Sequence, residues 1–287
     1  RGRPFFLRFC GYAVHRMRKG LISVLIALAG LLGAAGESGA AQCTLRVTPG
    51  CFFPSLVATL GGSVSPKTLS ASKHQPVTWS IFGKIGTSDG THPSALREVQ
   101  LDVDKDVRIN SRNYPVCEMG GRAIREESPK AAEKACAKAL VGRGEATVEL
   151  AFPETTPTEL SSQLLVFNAG EQGGVTKLLI HAFIYVPVPT PIVSVLTVSK
   201  HGAGLETVTE IPVIAGGSGS LLDFKLKIGR TYSYAGKKYG YFEAKCPDSV
   251  FKANVKSLLF KNEAKVPGVA AQSLLKAALA VPCTPKG

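Results

Sequence analysis

A period-two alternation of apolar and polar residues runs through most of this sequence and constrains its fold more than any other feature. The segment REVQLDVDKDVRI (97–109) shows it best, because Val99, Leu101, Val103, Val107 and Ile109 fall on one face of an extended chain. Further alternating, β-branched segments are 77–85, 146–152, 163–169, 176–188, 192–200, 206–214, 221–228, 230–236, 238–246 and 249–260. Turn-forming residues separate them at intervals of roughly ten residues. The pattern predicts an all-β fold, an antiparallel two-sheet sandwich of jelly-roll type.

One segment breaks this alternation. Ser128 and Pro129 precede the alanine-rich KAAEKACAKALV, which is typical of a helix with a serine N-cap and a proline in its first turn. We predict one short inserted helix at about 128–141, closed by Gly142. The tail AAQSLLKAALA (270–280) fits either a short helix or a last strand. The proline-rich VPVPTPIV (186–193) is expected to be an extended crossover between strands, or else a domain boundary.

The first 41 residues have the character of a targeting segment. Met17 and two basic residues precede an apolar run (21–35), and small residues follow (39–41). The run is shorter than the ~20 residues that span a bilayer, so we predict a secretory signal peptide at about 17–41, preceded by an upstream leader. A lipoprotein cut at Cys43 is the alternative. The domain prediction is residues 1–41 as leader plus signal peptide and 42–287 as a single secreted β-sandwich domain.

The cysteines and the charge fit export to an oxidising compartment, secreted or associated with the cell envelope. The cysteines that remain after the leader are Cys43, Cys51, Cys117, Cys136, Cys246 and Cys283. An even number of cysteines in an exported chain predicts that all six are paired, in three disulfides. The net charge is +13, of which the first 41 residues contribute +5 and the rest +8. This excess suggests an anionic wall polymer or polysaccharide as partner, and the alternative is that the charge only keeps the protein soluble. We expect no nucleic-acid partner and no membrane span after signal cleavage.

Two surface features carry the candidate ligand-binding residues. The loop TSDGTHPSAL (87–96) holds Asp89 and His92, which can bind a ligand or move protons, although Asp89 in a turn is also typical of a structural Asx bond. The hairpin RTYSYAGKKYGYFEAK (230–245) interleaves aromatic and basic residues: Tyr232, Tyr234, Lys237, Lys238, Tyr239 and Tyr241. Such a surface can stack sugar rings and neutralise an acidic polymer. Cross-strand tyrosine pairing that only stabilises the hairpin is the alternative.

No pattern for catalysis or metal binding stands out. The histidines lack ligand spacing, no Cys-x-x-Cys occurs, and the glycine-rich AGGSGS (215–220) lacks the residues of a phosphate loop. No Gly-x-Ser-x-Gly elbow supports serine–histidine catalysis. The acidic residues on predicted strands are expected to face solvent: Asp102, Asp104, Asp106, Glu149, Glu206 and Glu243. We therefore predict no catalytic residue, no metal and no cofactor.

Several longer segments occur together: GKIGTSDGTHPSALREVQLDVDKD (83–106), YPVCEMG (114–120), KACAKALVGRGEATVELAFPE (134–154), LLVFNAG (164–170), IPVIAGGSGSLLDFKLKI (211–228) and YAGKKYGYFEAKCPD (234–248). In this combination the chain, from about Pro54 to Cys283, resembles a group of uncharacterised secreted proteins from actinobacterial genomes. The resemblance implies no particular activity or cofactor. It does imply that four cysteines form a common framework: Cys117, Cys136, Cys246 and Cys283.

Six cysteines allow 15 pairings, and the sequence does not reduce them to one. The pairings that we expect are Cys117–Cys136, which would tie the helix to the loop before it, Cys246–Cys283, which would pin the C-terminal segment to the hairpin, and by elimination Cys43–Cys51.

These features favour an exported non-catalytic β-sandwich protein with a binding or structural role at the cell envelope, its ligand unknown. The alternative is a carbohydrate-active enzyme on a jelly-roll scaffold, with carboxylates that the sequence does not identify. A concave face with two converging carboxylates and aromatic side chains would favour the enzyme.

Overall fold

The computed structural model describes residues 41–47, 56–117, 124, 128–265 and 267–287. The first strands are β1 (Ala41–Val47), β2 (Leu56–Ser65), β3 (Thr68–Ser70), β4 (Gln75–Thr87), β5 (Ala95–Val103) and β6 (Val107–Ile109). After helix α1 (Pro129–Cys136) come β7 (Leu140–Leu150), β8 (Thr158–Gln172), β9 (Val175–Ile184), β10 (Thr190–His201), β11 (Gly204–Glu210) and β12 (Gly219–Ile228). The last strands are β13 (Thr231–Tyr234), β14 (Lys237–Gly240), β15 (Phe242–Ala244), β16 (Val250–Lys261), β17 (Gln272–Pro282) and β18 (Thr284–Lys286).

Most of these strands belong to one antiparallel sheet. Its hydrogen-bonded order is β1-β2-β4-β12-β7-β8-β9-β10-β11-β5-β16-β17; β15 branches from β4, and β6 pairs with β15. Strands that follow each other along the chain, such as β7 to β11, are neighbours and pair antiparallel. The predicted all-β, antiparallel class is therefore confirmed.

The sheet curls until β1, at one end of the hydrogen-bonded order, lies beside β17 at the other end. Residues from distant strands then meet inside. One core cluster joins Leu56 of β2 and Ile85 of β4 to Leu96 of β5 and to Val255 and Phe260 of β16. Layers of strands facing each other across a core are the packing of a sandwich. The jelly-roll strand order, a finer statement, stays a prediction.

Helix α1 begins where the sequence predicts but ends earlier. The Ser128 side chain accepts a hydrogen bond from the Ala131 N–H as N-cap, and Pro129 lies in the first turn. A 3₁₀ turn follows at Ala137–Ala139 and β7 begins at Leu140. Gly142, predicted to close the helix, lies inside this strand instead. A Cβ there would come within 2.9 Å of the Lys227 carbonyl oxygen on β12, so close strand approach explains this glycine.

Other element predictions are also corrected. The single strand predicted over 97–109 is divided, because β5 ends at Val103 and a turn precedes Val107 of β6. The proline-rich segment is not a crossover: it joins β9 to its antiparallel neighbour β10, with Ile184 opposite Thr190. The ambiguous tail forms β17. Four strands lie outside the predicted set: β1, β2, β3 and β18.

Among the residues that the structure describes, two disulfides are present, Cys117–Cys136 and Cys246–Cys283, with the expected pairings. The first fastens α1 to the preceding loop and the second joins the segment after β15 to that after β17. The expected Cys43–Cys51 pair and the predicted signal peptide lie outside the described side chains. Such bonds are typical of an oxidising compartment. In the part of the chain that the structure describes, no helix is long and apolar enough to cross a membrane.

Candidate functional site: an apolar cavity inside the curled sheet

The tyrosine- and lysine-rich hairpin is exposed near its turn, whereas Tyr232 and Tyr239 are partly buried. Tyr232 and Tyr239 are directly opposite each other on β13 and β14, and their rings stack with centroids 5.7 Å apart. The Tyr232 hydroxyl donates to the Asn110 carbonyl oxygen at 3.1 Å. Burial raises the pKa of Tyr232. The structural alternative therefore describes this pair better than a free binding surface does.

Tyr241 is corrected outright as a candidate contact residue. Its side chain is fully buried, and its hydroxyl donates to Asn168 Oδ1 at 2.9 Å. The Tyr114 ring packs edge-on against it, with centroids 5.1 Å apart. Burial strongly raises the pKa of Tyr241, so it stays a neutral donor. A ligand on the surface cannot reach it.

Of the six candidate residues of the hairpin, three are exposed: Tyr234, Lys237 and Lys238, beside the turn at Ala235 and Gly236. Both turn residues have positive φ (48° and 73°), which matches the backbone of a tight two-residue hairpin turn. These three side chains are accessible, and their contact with an anionic polymer stays a prediction.

Asp89 and His92 have different hydrogen-bond partners in the structure. Asp89 Oδ1 accepts from the Thr91 N–H at 3.1 Å and from the Thr91 hydroxyl at 2.7 Å. The hydroxyl bond lowers the pKa of Asp89, and the residue is exposed. This is the structural Asx arrangement that the turn sequence allowed.

His92 instead joins two residues that are distant in sequence. Its Nδ1 lies 2.5 Å from Glu149 Oε1, and its Nε2 lies 3.1 Å from the Ser220 hydroxyl oxygen. Glu149 and Ser220 are cross-strand partners on β7 and β12, and the β4–β5 loop lays His92 over them. Carboxylate, imidazole and hydroxyl in this order also occur where a serine acts as nucleophile.

The surroundings of Ser220 favour a structural role. Ser220 is only 2% exposed, and its hydroxyl donates to the Pro93 carbonyl oxygen at 2.7 Å. The void beside it has a volume of about 20 Å³, enough for about one water molecule. A substrate has no room there. We interpret the three side chains as a polar bridge that fastens the β4–β5 loop to the outer face of the sheet.

Replacing His92 by alanine is expected to lower the free energy of unfolding by about 1–3 kcal/mol, because the half-buried Glu149 loses its partner. Urea unfolding monitored by circular dichroism measures the change. His201→Ala, at an exposed histidine, is the matched control and is expected to stay within about 0.5 kcal/mol of the wild type. Equal stability of the two variants would contradict the bridge.

Two acidic residues predicted to face solvent are buried. Glu243 is 4% exposed; its Oε1 accepts from the Gly240 N–H at 3.0 Å and its Oε2 from Arg108 Nε at 3.0 Å. Burial alone would raise the pKa of Glu243, but these hydrogen bonds outweigh it and the pKa is lowered. Asp106 is 5% exposed and pairs with Lys245 at 3.3 Å. Both predictions were wrong because each carboxylate has a cation from another segment.

A further pair of acidic residues, Asp102 and Glu206, is paired with a lysine of the same chain. Asp102, His201 and Glu206 offer ligand atoms within 4.8 Å of one another. The Lys256 ammonium lies 3.1 Å from Asp102 Oδ1 and 3.0 Å from Glu206 Oε1. Its hydrogen bond lowers the pKa of Glu206. Because the Lys256 ammonium already pairs with both carboxylates, we do not assign a metal to this cluster.

The interior of the curled sheet contains an apolar cavity of about 300 Å³. Most strands of the curled sheet contribute to its wall, including β4, β5, β8, β9, β11, β12, β16 and β17. Aromatic rings from separate strands border it: Trp79, Phe224, Phe242 and Phe251. Protein interiors are normally close-packed, with few voids larger than a water molecule. A cavity of this size is therefore a candidate binding site.

Burial along β5 shows how the cavity affects its wall. Val99, Leu101 and Val103 point inward, yet each is only half-buried, because the cavity lies in front of them. Among the described residues that line the cavity, two are charged, Asp104 and Lys252. They meet at one place, since the Lys252 N–H donates to Asp104 Oδ2 at 2.8 Å. The cavity is thus suited to a molecule with a large apolar body.

Comparison with family models, with curated proteins and with solved structures finds no match. The candidate site is therefore identified from the positions of the described residues alone. Among the features described above, the cavity alone provides space for a ligand larger than water. Sequence patterns do not mark it, because its wall consists of the same alternating apolar residues that fill an ordinary core.

Proposed function

We propose that this is an exported binding protein that holds an apolar molecule, such as a long-chain lipid or an isoprenoid, inside the curled sheet. The single observation that carries the proposal is the apolar cavity of about 300 Å³. Dry apolar cavities of roughly 150 Å³ already take up benzene. Filling a larger one removes more of the ligand's apolar surface from water and adds van der Waals contacts with the cavity wall, which stabilises the complex.

The export half of the proposal rests on the N-terminal segment and the disulfides. The basic region and apolar run before residue 42 have the composition of a signal peptide. Cys117–Cys136 and Cys246–Cys283 suit an oxidising environment. A protein outside the cytoplasm that encloses an apolar molecule can carry it through water or store it at the envelope.

The carbohydrate-active alternative has less support in the cavity. Glycoside hydrolysis uses two carboxylates that flank the scissile bond. Among the described residues that line the cavity, Asp104 supplies a carboxylate, and both of its oxygens accept backbone hydrogen bonds, from Asp106 and Lys252. The wall is also mainly aliphatic rather than polar, whereas sugar hydroxyls require hydrogen-bond partners.

Native mass spectrometry of the protein with palmitic acid tests the proposal. We expect a complex of one protein with one fatty acid, together with a rise in the thermal midpoint, because a ligand that binds only the folded state stabilises it. Cellohexaose is the polar control and is expected to give no complex. Retention of the sugar but not of palmitic acid would reverse the choice between the two functions.

A further inference from the structure

A second apolar feature lies on the surface at one end of the curled sheet. Eight large apolar side chains are exposed among those that the structure describes. Five of them lie on three neighbouring loops: Phe152, Tyr185, Val186, Val188 and Val213. We refer to these five residues as the apolar rim. Isolated exposed apolar residues need no explanation, but clustering at one place marks an interaction site.

The three loops are held together by the core beneath them. Leu150, Ile184, Ile192 and Ile214, which flank the loops, belong to one core cluster. The Ala151 N–H also donates to the Ser218 carbonyl oxygen at 2.8 Å, which joins the β7–β8 loop to the β11–β12 loop. The five rim residues therefore project from the same end of the sheet. Ile184, Ile192 and Ile214 line the cavity as well, so the rim adjoins one end of it.

The composition of the rim indicates what it contacts. The stretches 182–199 and 211–222 contain no charged residue, and the β7–β8 loop contains only Glu154. Tyr185 and Val188 are 61% and 65% exposed. A specific protein interface typically has a polar periphery and about ten hydrogen bonds, whereas apolar side chains on loop tips suit the boundary of a lipid layer. Tyrosine is enriched at that boundary because its ring is apolar and its hydroxyl polar.

We infer that the protein docks on a lipid surface through the apolar rim. Burial of the five side chains among acyl chains removes them from water, which drives the association. The net charge, +8 after residue 41, adds long-range attraction to an anionic lipid surface. Docking does not depend on the proposed cavity ligand, although a lipid layer is also where such a ligand would be found.

The first test places a fluorescent reporter on the rim. In a Trp79→Phe background, which removes the chain's own tryptophan, Tyr185→Trp is compared with Tyr234→Trp at the far end of the molecule. Tyr234 is a matched exposed tyrosine, on the hairpin that follows β12, whereas the rim loop containing Val213 precedes that strand. With vesicles of brominated phosphatidylcholine and phosphatidylglycerol, we expect the Tyr185→Trp emission to shift to shorter wavelength and to be quenched. The Tyr234→Trp emission is expected to stay unchanged.

A second measurement keeps the inference testable if the reporter variants do not fold. Val186→Ser combined with Val188→Ser is expected to weaken partitioning onto the same vesicles by about tenfold or more, because two buried valine side chains are lost. Val116→Ser is the matched control; Val116 is another exposed valine, beside Gly170 near the β8–β9 turn. All variants carry the same N-terminal segment, so a difference in vesicle partitioning between them is due to the substituted loop residues.

Two results would overturn the inference. One is an unchanged Tyr185→Trp emission with vesicles to which the protein binds. The other is equal weakening by the rim variant and by Val116→Ser. An Ala182→Phe variant, altered inside the cavity, is expected to bind vesicles like the wild type. Loss of cavity binding with retained docking, or the reverse, would therefore separate this inference from the proposed function.

Discussion

Replacing Ala182 by phenylalanine is expected to abolish formation of the complex with palmitic acid, raising its dissociation constant by more than about tenfold. Ala182 is a half-buried residue of β9 on the cavity wall, between Ile180 and Ile184. A phenyl ring at this position occupies space that the ligand would otherwise use. Native mass spectrometry of the wild type and the variant side by side measures the change.

The stability of the same variant provides an independent control. In a close-packed interior, added carbon atoms force neighbours apart and cost about 1–3 kcal/mol. Because Ala182 faces the cavity, which has room for a larger side chain, Ala182→Phe is expected to leave the free energy of unfolding unchanged or to raise it. Ala132→Phe, at a fully buried alanine of α1 in a packed cluster, is the matched comparison and is expected to show the full cost. Equal destabilisation by both variants would contradict the cavity.

Truncating Tyr241 to alanine is expected to lower the free energy of unfolding by about 3–5 kcal/mol, the largest stability effect that we predict. The side chain is fully buried, and its ring contacts Tyr114 and Phe242. Tyr241→Phe keeps the ring but removes the donor to Asn168, so we expect about 1–3 kcal/mol for that variant. Urea unfolding curves measure both.

Tyr234 gives the matched control for this series, since it belongs to the same hairpin but is 49% exposed. Tyr234→Ala is expected to change the free energy of unfolding by less than about 0.5 kcal/mol. Similar effects of Tyr241→Ala and Tyr234→Ala would mean that Tyr241 is not part of the core. Together the variants separate the structural tyrosines of the hairpin from those available to a partner.

The strand content follows from local sequence, and local sequence predicts it well. On β5 the alternation of Val99, Leu101 and Val103 with polar residues is strong enough to fix both the strand and its inward face. Boundaries are less predictable, because they depend on partners. Strand β7 begins at Leu140 rather than after Gly142, since the β8 residue Phe167 pairs with Leu140 and draws it into the sheet. The pairing of Leu140 with Phe167 outweighs the helix propensity of the alanine-rich segment at this point.

Burial of charged groups could not be predicted, because it depends on residues far away in the chain. Glu243 occupies a strand position that would face solvent in an isolated hairpin, yet Arg108 of β6 lies across from it. His92, Glu149 and Ser220 are likewise brought together from three separate segments. The turn residues around His92 mark it in the sequence as a loop residue, but no sequence pattern marks Glu149 or Ser220 as its partners.

The cavity is a property of the curl and of side-chain size, and neither is visible as a motif. Small residues at inward positions are the one sequence feature that could have suggested it: Gly62, Ala146, Ala182 and Ala253 all line the cavity on different strands. An alanine in a strand is also typical of close sheet packing, so these positions gain meaning only once the curl places them around one volume. The fold class can therefore be predicted from the sequence, whereas the cavity can be recognised only in the structure.

The most direct test of an apolar ligand in the cavity uses the chain's only tryptophan. Trp79 lines the cavity, and its ring lies 5.3 Å from that of Phe251, centroid to centroid. The protein is titrated with a brominated fatty acid, which quenches tryptophan emission only at short range. We predict that Trp79 emission falls and saturates at one fatty acid per protein, and that Ala182→Phe prevents this. Emission that stays constant up to the solubility limit of the fatty acid, or quenching that Ala182→Phe leaves unaltered, would contradict the account.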